Sequence, residues 1–109
     1  MKLVIAIVQD EDASRLMSNL MNEGYSVTKL ATTGGFLRAG NTTLLLGVDD
    51  NKYDGAMAII EKVCKSRKQI ATSPSTMSGS PGVYVPYPIE VMVGGATVFV
   101  LNVEQFIKM

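Results

Sequence analysis

The sequence predicts an α+β sandwich in which strands pack against two helices. Three observations predict it: a nearly continuous apolar run at the start of the chain, two stretches with apolar residues at helical spacing, and short β-branched segments between and after them. The predicted order is strand, helix, strand, strand, helix and two further strands. A chain of 109 residues, 47% hydrophobic and 18% charged, fits a single folded domain spanning residues 1–109.

Five segments have the composition of β-strands. They are predicted at residues 2–9, 25–32, 42–48, 89–93 and 96–103. Gly94 and Gly95 separate the last two, and a glycine pair between apolar segments predicts a tight hairpin. Gly47 lies inside the third strand, where glycine weakens a strand unless a ligand or a neighbouring backbone needs the space.

Two segments have helical periodicity. The first begins in the acidic run at residues 10–12, where Asp10 or Asp12 is expected to be the N-cap, and ends at Gly24. Its predicted buried stripe is Ala13, Leu16, Met17, Leu20 and Met21. The second helix is expected to be capped within residues 49–51. Its predicted stripe is Tyr53, Ala56, Met57, Ile60, Val63 and Cys64, which makes the cysteine a buried apolar residue rather than a nucleophile.

Residues 65–88 form the least regular part of the sequence. Serine, glycine and proline are concentrated in them, and a long segment of this kind predicts a flexible loop that becomes ordered when ligand binds. Lys65, Arg67 and Lys68 stand at its start. We interpret them as cations that complement the end of the helix dipole, rather than as a phosphate site.

The order of elements matches a ferredoxin-like βαββαβ sandwich with an added strand in a C-terminal β-hairpin. Both helices of such a sandwich lie on one face of the sheet. The strands at residues 2–9, 42–48 and 96–103 are nevertheless apolar on both faces. Another subunit should therefore cover the second face, and the pattern predicts a cyclic homo-oligomer.

The segment at residues 31–43, ATTGGFLRAGNTT, is the candidate ligand loop. Its glycines allow a ligand to approach backbone N–H groups, and its side chains offer a ring for stacking, a guanidinium and a carboxamide. These groups suit a flat, polar, anionic ligand such as a nucleotide. The alternative is a structured turn in which Phe36 and Leu37 pack against a neighbour and Arg38 is solvated.

Composition excludes several other classes of function. Zero formal net charge and the absence of a basic run argue against a nucleic-acid binder, and no apolar stretch is long enough for membrane insertion. A single cysteine and the lack of a signal peptide predict a cytoplasmic protein. The chain has no histidine, and GGFLRAG lacks the lysine of a P-loop. We therefore expect no catalytic residues, no metal site, no cofactor and no enzymatic activity.

The loop, together with MKLVIAIVQD at the start and PYPIEVMVGGATVFVL near the end, resembles the small PII-like receptors for cyclic di-AMP of the PstA or DarA type. The resemblance extends over essentially the whole chain. It implies a ferredoxin-like homotrimer that is not an enzyme and that binds its ligand at subunit boundaries. One departure is Asn102, where proline is expected in this family.

The resemblance also implies which residues bind the ligand. One subunit would contribute Thr28, Gly35, Phe36, Leu37, Asn41 and Gly47, and the next subunit would contribute Phe99. Backbone amides of residues 35–37 would contact phosphate or adenine, and the side chains of Thr28 and Asn41 would form hydrogen bonds. Gly47 would leave room, and Phe99 would pack on a base. Ser26 and Arg38 are secondary candidates.

These features predict a signal-transduction receptor that binds the second messenger cyclic di-AMP between subunits. Binding is expected to change loop conformation and so regulate a protein partner, which the sequence does not identify. One alternative is a PII-like sensor of ATP or ADP. Another is a trimeric metal-tolerance or scaffold protein that binds no nucleotide.

Overall fold

A four-stranded antiparallel sheet and two helices form the body of the molecule, and a separate two-stranded sheet is inserted before the last strand. The computed structural model describes residues 1–30, 40–73 and 87–109. Its elements are β1 (Lys2–Gln9), α1 (Asp10–Asn22), β2 (Val27–Leu30), β3 (Asn41–Val48), a 3₁₀ turn (Asp50–Lys52), α2 (Tyr53–Cys64), β4 (Arg67–Ser73), β5 (Tyr87–Val93) and β6 (Ala96–Asn102).

The strand order of the main sheet is β2-β3-β1-β6, which is consistent with the predicted ferredoxin-like sandwich. β1 pairs with β3 on one side and with β6 on the other, and every pairing is antiparallel. The even-numbered residues of β1 and β3 face the helices and form the core with α1 and α2: Val4, Ala6, Val8, Leu16, Leu20, Leu44, Leu46, Val48, Ala56 and Ile60.

Helix α1 begins earlier than the predicted caps allow. The chain passes directly from β1 into the helix, so Gln9 occupies the N-cap position without a side-chain hydrogen bond to the first turn. Asp10 and Asp12 lie inside that turn, where their carboxylates contact other elements, and the capping prediction is wrong. Met21 was expected in the buried stripe but is 54% exposed. Gly24, with φ of +86°, follows the last turn as predicted.

Helix α2 confirms the predicted stripe. Ala56, Ile60, Val63 and Cys64 are buried, while Tyr53 and Met57 are partly buried against the same core. The acidic residues before it do not cap the helix with their side chains. Residues 50–52 form the 3₁₀ turn instead, in which the N–H of Lys52 donates to the carbonyl of Asp49 at 2.9 Å.

The predicted hairpin between residues 89–93 and 96–103 is wrong. β5 pairs with β4, whereas β6 pairs with β1, so Gly94 and Gly95 carry the chain from one sheet to the other. The partner that β5 takes instead of β6 is β4, with which it has a seven-residue antiparallel register. The expectation of irregular structure over residues 65–88 is also corrected, because β4 occupies Arg67–Ser73 and β5 begins at Tyr87. We refer to β4 and β5 together as the arm.

The face of the main sheet opposite the helices is apolar. It carries Leu3, Ile5 and Ile7 of β1 and, at higher exposure, Leu30 (39%), Phe99 (53%) and Leu101 (51%). We call this surface the open face. The two-sided apolar pattern predicted for the central strands is therefore present.

Candidate ligand-binding site

The predicted site residues fall into two groups in the structure. Gly35, Phe36, Leu37 and Arg38 lie outside the described residues, as does most of the candidate loop. The described members are Ser26, Thr28, Asn41, Gly47 and Phe99. The geometry of the site is built from these five.

Strand register places the site residues of the main sheet on the open face. Thr28 pairs with Leu45, Leu45 with Ile5, and Ile5 with Phe99, so these four form one row across the sheet. Directly paired residues point to the same face. Asn41 and Gly47 are an even number of positions from Leu45 along β3, and they share that face. Ser26 precedes β2 and is exposed.

One chain does not bring all of these residues to a single point. Thr28 and Phe99 are three strand spacings apart, a distance of about 14 Å. Asn41 and Gly47 lie at opposite ends of β3, about 20 Å apart. Thr28 lies beside the Gly47 end of that strand, because its partner Leu45 is two residues from Gly47. The described residues therefore line an extended surface. Within one chain, Phe99 is too far from Thr28 for the two residues to contact the same base.

Contacts among the described residues do not explain why residue 47 is glycine. It is exposed at the Thr28 end of the predicted site, and a Cβ atom added to it would meet nothing within 4 Å among the described residues. Its φ lies outside the positive range that favours glycine. Neither the packing of the described residues nor the backbone conformation requires glycine here.

The Asn41 end of the face is anchored to the junction of β1 and α1. The N–H of Asp10 donates to the carbonyl of Gly40 at 2.9 Å, and the hydroxyl of Thr42 donates to the Asp10 carboxylate. A cavity of about 380 Å³ opens beside this anchor. Its lining is Ile7, Gln9, Asn41, Gly94, Gly95, Ala96 and Thr97. Gln9 also binds the base of the arm, because its Oε1 accepts a hydrogen bond from the N–H of Gly94 at 2.7 Å.

A buried carboxylate fixes the base of the arm from the other side. The Asp12 side chain is 2% exposed, and Arg67 Nη2 of β4 approaches its Oδ1 at 2.9 Å while Arg67 Nη1 lies 3.4 Å from Oδ2. The hydrogen bond to Asp12 raises the pKa of Arg67 above its ordinary value. The interpretation of Arg67 as a helix-end cation is wrong, since it belongs to β4 and neutralises Asp12.

The cysteine beside this ion pair is not activated. Burial, reinforced by the charge of Asp12, raises the pKa of Cys64 to about 11. A thiol with this pKa stays protonated near neutral pH, so it is a poor nucleophile and a poor metal ligand. Within residues 1–30, 40–73 and 87–109, no group of three or more His, Cys, Asp or Glu side chains is placed to hold a metal ion.

Comparison with known proteins decides the family. Residues 1–109, the whole chain, match the family described as the cyclic-di-AMP receptor. The chain belongs to the cyclic-di-AMP receptor family. This family is one of binding proteins rather than enzymes.

A similar solved structure supports the fold described above. The chain is 42% identical to a protein of Pediococcus pentosaceus that is described as functionally unknown, with a TM-score of 0.78. The match covers 99% of this chain and 96% of the other. In the part of the chain that the structure describes, no helix is long and apolar enough to span a membrane.

Sequence reasoning missed two residues at the Asn41 end of this family member's open face. Gln9 is the polar last residue of an otherwise apolar strand, and that change in character was the available signal. Gly94 was interpreted as part of a hairpin turn. Its contacts come from Gln9, Cys64, Lys65 and Arg67, which are distant from it in sequence.

Proposed function

We propose that this protein is a cytoplasmic signal receptor that binds cyclic di-AMP at the subunit boundaries of a homotrimer and regulates a protein partner through ligand-dependent changes in its loops. The observation that carries the proposal is the open face. Thr28, Asn41, Gly47 and Phe99 share it with apolar side chains that the described part of the chain leaves partly exposed.

The exposed apolar side chains support assembly. Phe99 and Leu101 are each about half exposed on the edge strand β6, and Leu30 is 39% exposed on β2 at the opposite edge. Burying each of these side chains contributes about 1 to 2 kcal/mol. A cyclic trimer places one edge of each subunit beside the other edge of its neighbour, which would bring β6 of one chain close to β2 and β3 of the next.

The same arrangement would complete the ligand site. Within one chain Phe99 lies about 14 Å from Thr28, but Phe99 of an adjacent subunit is free to approach it. Its ring would pack against an adenine, and the Thr28 hydroxyl and Asn41 carboxamide would form hydrogen bonds. Gly47 would allow the ligand to approach the backbone of β3. The length of the surface along β3 suits a ligand with two linked nucleotides.

The pairing of Arg67 with Asp12 favours this ligand over ATP. A triphosphate needs several available cations, whereas Arg67 at the base of the arm is bound to Asp12. Cyclic di-AMP carries two phosphodiester charges and makes a smaller demand on basic residues. The candidate loop and the arm both meet the β1–α1 junction, and we assign the ligand-dependent change to these two segments.

Isothermal titration calorimetry of the purified protein with cyclic di-AMP tests the proposal, with ATP and cyclic di-GMP as comparison ligands. We expect saturable binding of one ligand per chain, selective for the adenine dinucleotide. Size-exclusion chromatography with light scattering on the same sample should give the mass of a trimer. Binding of ATP with equal or higher affinity would contradict the proposal in favour of a general adenine-nucleotide sensor.

A further inference from the structure

Gln9 lies beside the predicted site but is not one of the predicted site residues. It is the last residue of β1, it is partly buried, and it pairs directly with Asn41 of β3. Side chains of directly paired residues stand about 5 Å apart on the same face of a sheet. Two carboxamides therefore lie next to each other at the wall of the 380 Å³ cavity on the open face.

The orientation of the Gln9 carboxamide is fixed by its hydrogen bond to the arm. The group that donates is the N–H of Gly94, so the atom that accepts, at 2.7 Å, is the side-chain oxygen of Gln9. The amide nitrogen, which carries two N–H donors, has no hydrogen-bond acceptor among the described residues. Asn41 beside it supplies a second amide with both a donor and an acceptor.

We infer that Gln9 is a further ligand-binding residue, whose amide nitrogen donates a hydrogen bond to a ring nitrogen of an adenine that also contacts the neighbouring Asn41 carboxamide. The inference rests on the proposed function, since it concerns the same site. Carboxamides suit this base because adenine presents a donor beside an acceptor on one edge, and Asn and Gln match that pair. The cavity also has the size range of a small-ligand pocket.

The same side chain links the ligand to the arm. Gly94 directly follows the last residue of β5, and it is enclosed by the carbonyls of Lys65 and Cys64 and by the guanidinium of Arg67. A ligand that draws the Gln9 carboxamide away from Gly94 would lengthen this hydrogen bond. Gln9 is thus placed to transmit ligand binding from the main sheet to the end of the arm.

The substitution Gln9→Glu separates the two roles of this residue. A carboxylate keeps an oxygen that accepts from the Gly94 N–H, but it lacks the amide donors and places negative charge beside the adenine ring nitrogen. We expect cyclic di-AMP to bind this variant about tenfold more weakly or worse. Protection of the Gly94 amide against hydrogen exchange should be retained in the free variant.

Gln9→Ala and Asn102→Ala complete the experiment. Gln9→Ala removes both roles, so it should weaken binding and also lose protection at Gly94. Asn102 accepts a hydrogen bond from Lys2 at the opposite end of β1, so Asn102→Ala removes a carboxamide far from the cavity and should bind as the wild type does. Melting curves and chromatography confirm that each variant is folded and assembled.

The outcomes distinguish this inference from the proposed function. Wild-type affinity in a folded Gln9→Glu variant would overturn the inference and leave Gln9 as a structural clamp, while the proposed function stands. Absence of binding by the wild-type protein would overturn the proposed function itself, and the inference with it.

Discussion

Replacement of Gly94 by alanine tests the structure of the arm base, and Gly95 provides a matched control in the next residue. Both glycines have positive φ, +83° and +91°. A Cβ on Gly94 would lie 2.8 Å from the Lys65 carbonyl oxygen and 3.0 Å from that of Cys64, whereas a Cβ on Gly95 meets nothing within 4 Å among the described residues. The two substitutions therefore share a conformational cost and differ in steric cost.

The two substitutions should differ in their cost to the free energy of unfolding. Holding alanine at positive φ costs about 1 to 2 kcal/mol at either position. At Gly94 the backbone carbonyls must also move. This displacement weakens the hydrogen bond from the Gly95 N–H to the Cys64 carbonyl and the one from Arg67 Nη1 to the Lys65 carbonyl. At about 1 kcal/mol for each hydrogen bond, Gly94→Ala should cost about 2 kcal/mol more than Gly95→Ala.

Urea unfolding at equal protomer concentration measures both variants, because the stability of an oligomer depends on its concentration. Gly94→Ala should have the lower free energy of unfolding and should lose amide protection along β5. Equal free energies for the two variants would refute the described packing around Gly94.

Three further predictions concern the site and the core. Gly47→Leu should leave the free energy of unfolding within about 1 kcal/mol of wild type, because a Cβ at this position meets nothing within 4 Å among the described residues. It should nevertheless abolish cyclic di-AMP binding in calorimetry, and retained binding would contradict the proposed close approach of the ligand to Gly47. Phe99→Ala should weaken cyclic di-AMP binding at least about tenfold. It should cost little protomer stability, since the ring is 53% exposed. A collapse of the secondary-structure signal in circular dichroism would identify Phe99 as a core residue instead. The pKa of the Cys64 thiol is 9.0, its ordinary value, in the unfolded chain and about 11 in the folded protein. Its contribution to the free energy of unfolding is therefore complete below pH 9 and is lost as pH rises to 11. Between pH 9 and pH 11, the free energy of unfolding measured with urea should fall by about 2 to 3 kcal/mol more for wild type than for Cys64→Ala. If the two proteins lose the same stability over this interval, the burial of the thiol is contradicted.

The helices and the main strands could be predicted from the sequence because periodicity reports local burial directly. The stripe of α2 and the two-sided apolar character of β1 followed from the spacing of apolar residues alone. The caps of α1 were wrong for a different reason. Acidic residues at a helix start serve equally well as caps or as partners for distant groups, and Asp12 pairs with Arg67 across 55 positions.

Strand partners were harder to predict than strands. A glycine pair such as Gly94 and Gly95 permits a tight hairpin and also permits a passage between two sheets. The choice depends on whether β5 pairs with β6 or with β4, and pairing with β4 is a contact between segments that are distant in sequence. Gly47 was predicted to be a site residue from the family resemblance and because glycine is unusual within a strand. The proposed role of Gln9 depends on Asn41 and Gly94, which are distant from it in sequence.

Mixed assemblies of two variants give the most direct test of the proposal that the ligand lies between subunits of a trimer. Chains carrying Gly47→Leu and chains carrying Phe99→Ala are unfolded together, refolded at equal amounts and titrated with cyclic di-AMP, with each variant alone as a control. If one chain supplies Gly47 and its neighbour supplies Phe99, about a quarter of the boundaries in the mixture contain both native residues. We therefore predict that the mixture recovers tight binding at about a quarter of the wild-type capacity. A mixture that binds no better than its separate components would contradict a site shared between subunits.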